Sequence, residues 1–315
     1  MQENLRIFTG SSNPKLAKEI CDKLNAKLGN ITLSRFKSGE IYVNYEESIR
    51  NCDVFLVQSL SHPINELFVE LLVMIDAAKR ASARTINIIV PYYGYARQER
   101  KSAPREPISA KMVADVLTTV GANRVITIDL HAPAIQGFFN IPVDHLTALD
   151  LICDYLKSQD IPNPVIVSPD AGRASTAEKL ANHMDTPFAI MIKKRPAHNE
   201  SVITHVIGDV EGRTPIIIED LIDTGTTIVK VVEGLKERGA NDAIVCATHG
   251  LFSVDALKRL DHPNIQQIIV TDSISLAEER PACLHVLSVA PMLATATRII
   301  TEGGSIATLF KDAGM

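Results

Sequence analysis

The chain has 315 residues, enough for two domains of ordinary size that each bury a core. A hydrophobic share of 46% and a charged share of 22% describe a soluble globular protein, and a net charge of −5 gives no reason to expect binding to bulk nucleic acid or to an acidic membrane. No apolar run reaches membrane-span length and MQENLRIFTGSS lacks a signal core, while five scattered cysteines without a Cys-x-x-Cys pair predict reduced thiols in a cytoplasmic protein.

In chain order, residues 5–8 read as a strand, followed by a turn at 10–14 and helical spacing from Leu16 through Ile20 and Leu24 to Leu28. Strand 54–58 is followed by a helix over 65–83 that puts Leu67, Leu71, Met74, Ile75 and Ala78 on one face. Strand 86–90, a helix over 107–120 stopped by Gly121, and strand 125–128 complete the first half. The second half repeats the rhythm with helix 149–156, strand 165–167, helix 175–183 and strand 188–192. Strand 216–218, a helix from Ile228 to Leu235 that stops at Gly239, and strands 243–247 and 268–270 come next. Such alternation predicts an α/β fold of mostly parallel sheets flanked by helices. Gly121-Ala122-Asn123 before VITIDLH is echoed by Gly239-Ala240-Asn241 before AIVCATH, a weak sign of duplication. The predicted division is 1–147, joined by a returning segment about 296–315, and 148–295.

The most informative stretch is TPIIIEDLIDTGTTIVK, residues 214–230. The run Ile216-Ile217-Ile218 suits a strand buried on both faces. Glu219 and Asp220 come next, then Asp223-Thr224-Gly225-Thr226-Thr227, then the helix. Backbone N–H groups of such a turn and the positive end of the helix can hold a phosphate, aided by the threonine hydroxyls. Carboxylates beside an anion site suit sugar hydroxyls, or Mg²⁺ shared with a phosphorylated sugar. The Gly-Lys-Ser/Thr ending of a Walker A loop is absent. An ordinary capped helix is the plain alternative. This stretch resembles the phosphoribosyl-diphosphate loop of type I phosphoribosyltransferase folds.

Two further segments stand at strand ends. PYYGYARQERK (91–101) comes after a buried strand and so lies at the carboxyl edge of its sheet, where α/β proteins place ligands. Its tyrosines can stack on a base, Arg97 can bridge phosphates and Gln98 can read an amide-like edge. His131 ends a strand beside Asp129, without a neighbouring His or Cys that would complete a zinc set. Lys193, Lys194 and Arg195 come after the strand ending at Ile192, and AHNESVITH beyond them is polar enough for a closing lid.

YYGYARQERK…REPISAK resembles the ATP-binding segment of the ribose-phosphate pyrophosphokinases, the phosphoribosyl-diphosphate synthetases, and the resemblance runs over nearly the whole chain in its phosphate-activated class. Arg35-Phe36 and Gly39-Glu40 are similar to that family's nucleotide contact, ITIDLHAPAIQGFF (126–139) to its metal segment, VSPDAG (167–172) to its ribose and metal turn, and KKRP (193–196) to the start of its catalytic loop.

The resemblance implies two similar phosphoribosyltransferase-like domains and attack of the C1 hydroxyl of ribose 5-phosphate on the β-phosphorus of MgATP. The products are AMP and 5-phosphoribosyl 1-diphosphate, for nucleotide biosynthesis. It implies ATP binding by Phe36, Ser38, Glu40, Arg97 and Gln98, metal binding by His131 and Asp170, and catalysis by Lys193 and Arg195. It places ribose 5-phosphate against Arg195, Glu219, Asp220, Asp223, Thr224, Gly225, Thr226 and Thr227. It also implies a regulatory site with Arg50, Arg105 and Ser305, and assembly as a homo-oligomer, commonly a hexamer. Mg²⁺ suits such a site because it takes few protein ligands and completes its shell with water and phosphate oxygens.

Several positions depart from the family's usual pattern. Ser38 stands where an acidic ATP contact is usual, and Glu219 replaces the first of two aspartates. Gly225-Thr226 replaces a small residue followed by glycine. Arg173 and Thr176 stand where glycine and then arginine are usual, and Ala307 replaces one of two regulatory serines. These departures keep open a non-catalytic regulatory paralogue. The 219–227 loop alone also fits a phosphoribosyltransferase that consumes phosphoribosyl diphosphate, although the 91–101 segment argues against it.

Overall fold

A computed structural model describes the backbone of residues 4–197 and 200–310; the side chains of residues 193–204 and 310 lie outside the described residues. The chain forms two compact units, Met1–Thr147 with Ser273–Ser275 and Ser288–Met315, and Ala148–Asp272 with Leu276–Leu287. Among the described residues no helix is long and apolar enough to cross a membrane.

In the first unit the β-branched runs become strands and the 3.6-period segments between them become helices. The elements are β1 (Leu5–Thr9), α1 (Pro14–Leu24), β2 (Ile31–Arg35), β3 (Ile41–Tyr45), β4 (Asp53–Val57), α2 (Ile64–Arg80), β5 (Thr85–Val90), α3 (Ser109–Val120), β6 (Arg124–Ile128) and β7 (Val143–Leu146). A parallel five-stranded sheet runs in the order β1-β4-β5-β6-β7, and β2 and β3 form a separate antiparallel pair. Helix α1 opens on Pro14 with Asn13 as its cap, whose Oδ1 accepts from the Leu16 N–H at 3.2 Å. It stops at Asn25 in the left-handed region, short of the spacing that continues to Leu28. The β2–β3 pair escaped the sequence reading, because both strands are half-exposed and interrupted by polar residues.

Successive strand residues face opposite sides of the sheet. One set, with Phe8, Val54, Leu56, Ile88 and Val125, packs with Leu71, Met74 and Ile75 of α2 and Val113 and Leu117 of α3. The alternate set, Ile7, Phe55, Ile89 and Ile126, is also buried. The helices left for that second face are α1 and the returning α8 (Ala290–Glu302), which pack on each other. The Ser288 hydroxyl donates to Glu19 of α1 at 2.9 Å, and the Ser59 hydroxyl after β4 donates to the Ser273 carbonyl at 2.5 Å.

The second unit contains α4 (Leu149–Lys157), β8 (Pro164–Ser168), α5 (Ala174–Met184), β9 (Phe188–Ala197), β10 (Glu200–Ile207), β11 (Thr214–Ile222), α6 (Thr226–Lys236), β12 (Ala243–Gly250), α7 (Ala256–Leu260), β13 (Ile265–Thr271) and β14 (Leu284–Leu287). Its seven strands run β10-β9-β8-β11-β12-β13-β14, parallel except for the β9–β10 pair. Residues 216–218 are buried on both faces as the isoleucine run implies. Ile216 and Ile218 pack with α4 and α5, and Ile217 packs with Ile228, Val231 and Leu235 of α6. The chain steps from β8 through α5 to β9 on one side, and from β11 through α6 to β12 on the other. The winding therefore reverses between the neighbours β8 and β11, and their carboxyl ends border the crevice where open α/β sheets bind ligands.

One expectation is corrected by this sheet. Lys193, Lys194 and Arg195 do not come after a strand ending at Ile192; β9 continues to Ala197 and pairs with β10, with Lys193 opposite Ile203 and Lys194 opposite Val202. Most of the polar stretch AHNESVITH falls in β10, where the β-branched Val202, Ile203, Val206 and Ile207 suit a strand ladder.

Candidate active site

The β8–β11 crevice collects the sugar and phosphate candidates of the second unit. β8 ends in a tight turn in which the Asp170 carboxylate accepts from the Gly172 N–H at 2.9 Å, so Asp170 caps the short 3-10 turn Ala171–Arg173. The neighbouring β11 runs on to Ile222, so Glu219 and Asp220 do not come after the strand but lie within it, near its end, half-buried. Between them lies Arg173. Its Nη2 is 2.5 Å from Asp220 Oδ2 and its Nε is 3.8 Å from Glu219 Oε2. The first is a charge-assisted hydrogen bond in length, and the second is an ion pair only.

Beyond the acids, residues 223–225 turn the chain into α6. Gly225 sits at the helix N-cap with φ +74°, and a Cβ there would lie 2.9 Å from Leu260. The glycine is needed both for its dihedral and for the approach of α7. No side chain caps α6, so its first N–H groups face the turn together with the exposed Thr224, Thr226 and Thr227. Two groups that the sequence reading missed hold this loop. The Ser253 hydroxyl donates to Asp223 Oδ1, and the Arg259 guanidinium donates to the Thr224 carbonyl. Both come from beyond β12, and nothing in local spacing signals them. Lys193 and Arg195 lie in β9, and their side chains fall outside the described residues.

In the first unit the candidates stand on the β2–β3 turn and on the loops after β5 and β6. The turn is closed by the Phe36 N–H donating to the Glu40 carbonyl at 2.9 Å, with Gly39 at φ +93°. Phe36 is 57% exposed and meets Tyr42 edge-on at 5.8 Å between centroids, so an aromatic ring is displayed to solvent. The Ser38 hydroxyl donates to Glu40 at 2.6 Å, joining two of the expected ATP contacts.

After β5 the structure revises the role of the tyrosines. Tyr92 and Tyr93 are buried, and the Tyr93 hydroxyl donates to the Ala110 carbonyl at 2.9 Å. Burial pushes the Tyr93 phenol far above its usual range. Tyr95, at φ 63°, donates to Asn65 Oδ1. Tyr92 and Tyr93 therefore anchor the loop and do not stack on a base, while Arg97 and Gln98 are exposed at its end. Gly94 allows this anchoring, since a Cβ there would come within 2.6 Å of the Leu60 carbonyl oxygen.

After β6, Asp129 takes φ 38°, and the Leu130 N–H donates to His145 Nε2 at 2.9 Å. His145, also missed from sequence, thereby fixes the backbone that carries Asp129 and His131. The regulatory candidates are separate features of this unit. Arg50 borders a hollow of about 320 Å³ with Glu47, Ser48 and Ala81. Arg105 takes φ 70° in the loop before α3, and the Ser305 hydroxyl accepts from the Ala307 N–H at 3.3 Å.

Carboxylates supply the hard oxygen donors that Mg²⁺ requires, and Asp170, Glu219, Asp220 and Asp223 stand at one sheet edge. Among the described residues no three His, Cys, Asp or Glu groups form a cluster able to hold a metal by themselves. That donor set fits an ion that keeps most of its shell as water and phosphate oxygens.

Residues 5–121 match the family described as the N-terminal domain of ribose phosphate pyrophosphokinase, and residues 166–311 match the phosphoribosyl synthetase-associated domain. The chain is 48% identical over 309 residues to the ribose-phosphate pyrophosphokinase of Bacillus subtilis, with 98% of each chain covered. It is 49% identical over 310 residues to that of Bacillus caldolyticus, again with 98% of each covered. The crystal structure of phosphoribosylpyrophosphate synthetase from Mycobacterium smegmatis superposes with a TM-score of 0.91 at 43% identity, covering 96% of this chain and 100% of that one. The chain belongs to the ribose-phosphate pyrophosphokinase family, enzymes that transfer diphosphate groups.

Proposed function

We propose that the chain transfers the β,γ-diphosphoryl group of ATP to the C1 hydroxyl of ribose 5-phosphate. The C1 oxygen bonds to the β-phosphorus, the bond from that phosphorus to the α,β-bridging oxygen breaks, and AMP leaves while the hydroxyl loses its proton. The observation that carries the reading is the β8–β11 crevice. It sets paired acids for sugar hydroxyls one turn from an uncapped helix N-terminus for the 5-phosphate.

In this reading Thr224 to Thr227 hold the 5-phosphate, and Asp220, Glu219 and Asp223 accept from the ribose hydroxyls. Phe36, Ser38, Glu40, Arg97 and Gln98 hold the nucleotide. Lys193 and Arg195 place positive charge where the transferring group spreads negative charge, Arg195 also reaching the sugar phosphate. Catalysis is then mainly positioning and electrostatic stabilisation. Asp170 and His131 would hold Mg²⁺, which supplies charge neutralisation on the phosphate oxygens when bound. Arg50, Arg105 and Ser305 belong to a regulatory anion site, and the chain works in the cytoplasm as a homo-oligomer, a hexamer by family resemblance. The free state of all five cysteines suits that compartment.

The test mixes the purified protein with ATP, ribose 5-phosphate, Mg²⁺ and phosphate and follows products by ³¹P NMR, beside Lys193→Ala. Equimolar AMP and phosphoribosyl diphosphate, largely lost in the variant, are expected. Intact ATP in a folded, nucleotide-binding protein refutes the reading and leaves a regulatory paralogue. Light scattering across concentrations gives the assembly state.

A further inference from the structure

Arg173 is placed where local structure gives it no reason to be. It occupies the N-cap of α5, makes no side-chain capping hydrogen bond there, and puts a cation at the positive end of a helix. Serine, threonine, asparagine or aspartate would serve that position better. The side chain is 17% exposed and is spent on two acids of another strand, Asp220 at 2.5 Å and Glu219 at 3.8 Å, themselves 10% and 13% exposed. Buried ion pairs of this kind seldom add net stability, because desolvation offsets the attraction. Neither helix formation nor stability accounts for the residue.

The acids supply the reason. Glu219 and Asp220 are adjacent carboxylates near the end of β11 with little water around them, and like charges so close repel each other. A guanidinium between them compensates one charge and fixes the rotamer of Asp220. An ionised carboxylate has about four acceptor sites, so accepting from Arg173 leaves capacity to accept from sugar hydroxyls. Arg173 also ends the turn that Asp170 caps, its own N–H donating to the Asp170 carbonyl at 3.3 Å. One residue thus ties the β8 turn to the acids of β11 across the crevice.

We propose that Arg173 is a positioning residue that sets the Glu219–Asp220 carboxylates for the ribose diol and locks them to the Asp170 turn. This rests on the ribose 5-phosphate site assigned above. An arginine is suited to the task because its planar fork serves two carboxylates at once, whereas lysine offers a point charge.

The test compares wild type, Arg173→Ala, Arg173→Lys and Arg173→Gln. Calorimetric titration with ribose 5-phosphate is read beside separate KM values for ribose 5-phosphate and ATP, with Tm as a control. Arg173→Ala is expected to weaken ribose 5-phosphate about tenfold or more, as loss of a carboxylate's outer partner does elsewhere. KM for ATP should stay unchanged and lysine should restore part of the loss. Unchanged ribose 5-phosphate affinity in a folded alanine variant overturns the proposal. So does a parallel loss for both substrates with a lowered Tm, which marks a structural residue only. Should alanine prevent folding, the neutral, polar Arg173→Gln decides: weakened ribose 5-phosphate binding supports the role and native binding overturns it. Wild type that fails to bind ribose 5-phosphate at all refutes the functional reading itself, a result distinct from a variant that binds as wild type does.

Discussion

The two units build parallel sheets from the same kinds of runs and reach different ends. The second reverses its winding between β8 and β11, so α5 and α6 cover opposite faces and a crevice opens between the strand ends. The first steps in one direction from β1 to β7, puts α2 and α3 on the same face, and opens no such crevice among the described residues. A ligand of the second unit meets groups pinned by the sheet. A ligand of the first meets a hairpin turn and a long loop whose anchors are buried tyrosines. Winding alone therefore separates the sheet-edge crevice proposed for the sugar phosphate from the loops proposed for the nucleotide.

The comparison breaks first at Asp220. Asp220→Asn is expected to cost about 2 kcal/mol in the transition state, roughly thirtyfold in kcat/KM for ribose 5-phosphate, with KM for ATP unchanged. Initial rates of AMP formation with each substrate varied in turn will show it, and an equal effect on ATP would erase the division of labour.

Glycine substitutions come next. Gly94→Ala presses a methyl against the Leu60 carbonyl, which is backbone and cannot swing away, and should cost about 2–3 kcal/mol. Gly225→Ala meets Leu260, a side chain and not backbone, and carries the strain of φ +74°, for about 1–2 kcal/mol. Denaturant titration of both ranks them. The reverse order would place the less tolerant loop in the second unit.

Tyr93→Phe removes a donor and leaves the buried Ala110 carbonyl without it, at about 1 kcal/mol of stability. KM for ATP should hardly move, whereas a large rise would return Tyr93 to base stacking. The smallest effect concerns pH. The Arg84 guanidinium, with help from the Thr85 hydroxyl and against partial burial, holds the Asp53 carboxyl below its usual range. Its stabilisation is complete above the unfolded carboxylate value of about 3.9 and disappears as pH falls through the depressed folded value. Asp53→Asn should flatten that part of an acid-unfolding curve, as followed by circular dichroism.

The features legible in the sequence were those that one element decides. The isoleucine run, the acids behind it and the glycine-bearing turn at 225 all lie within a single strand–turn–helix. Partners from distant segments were not legible. Arg173 meets Asp220 only because β8 and β11 are neighbours, and Ser253, Arg259 of α7 and His145 of β7 reach their loops from elsewhere in the chain. The tyrosines after β5 misled because composition cannot tell an exposed ring from one whose hydroxyl reaches the Ala110 carbonyl. Lys193 to Arg195 were read as loop because β9 outlasts its apolar stretch once β10 offers a ladder.

The return of α8 to the first unit has a consequence during synthesis. The stretches Ala148–Asp272 and then Leu276–Leu287, with the whole of β14, leave the ribosome before Ala290–Glu302 can reach α1. Vectorial translation usually completes the earlier domain first. Here the later unit can finish its sheet before α8 has packed on α1. The first unit, begun before the second, is thus completed after it, when α8 docks on α1.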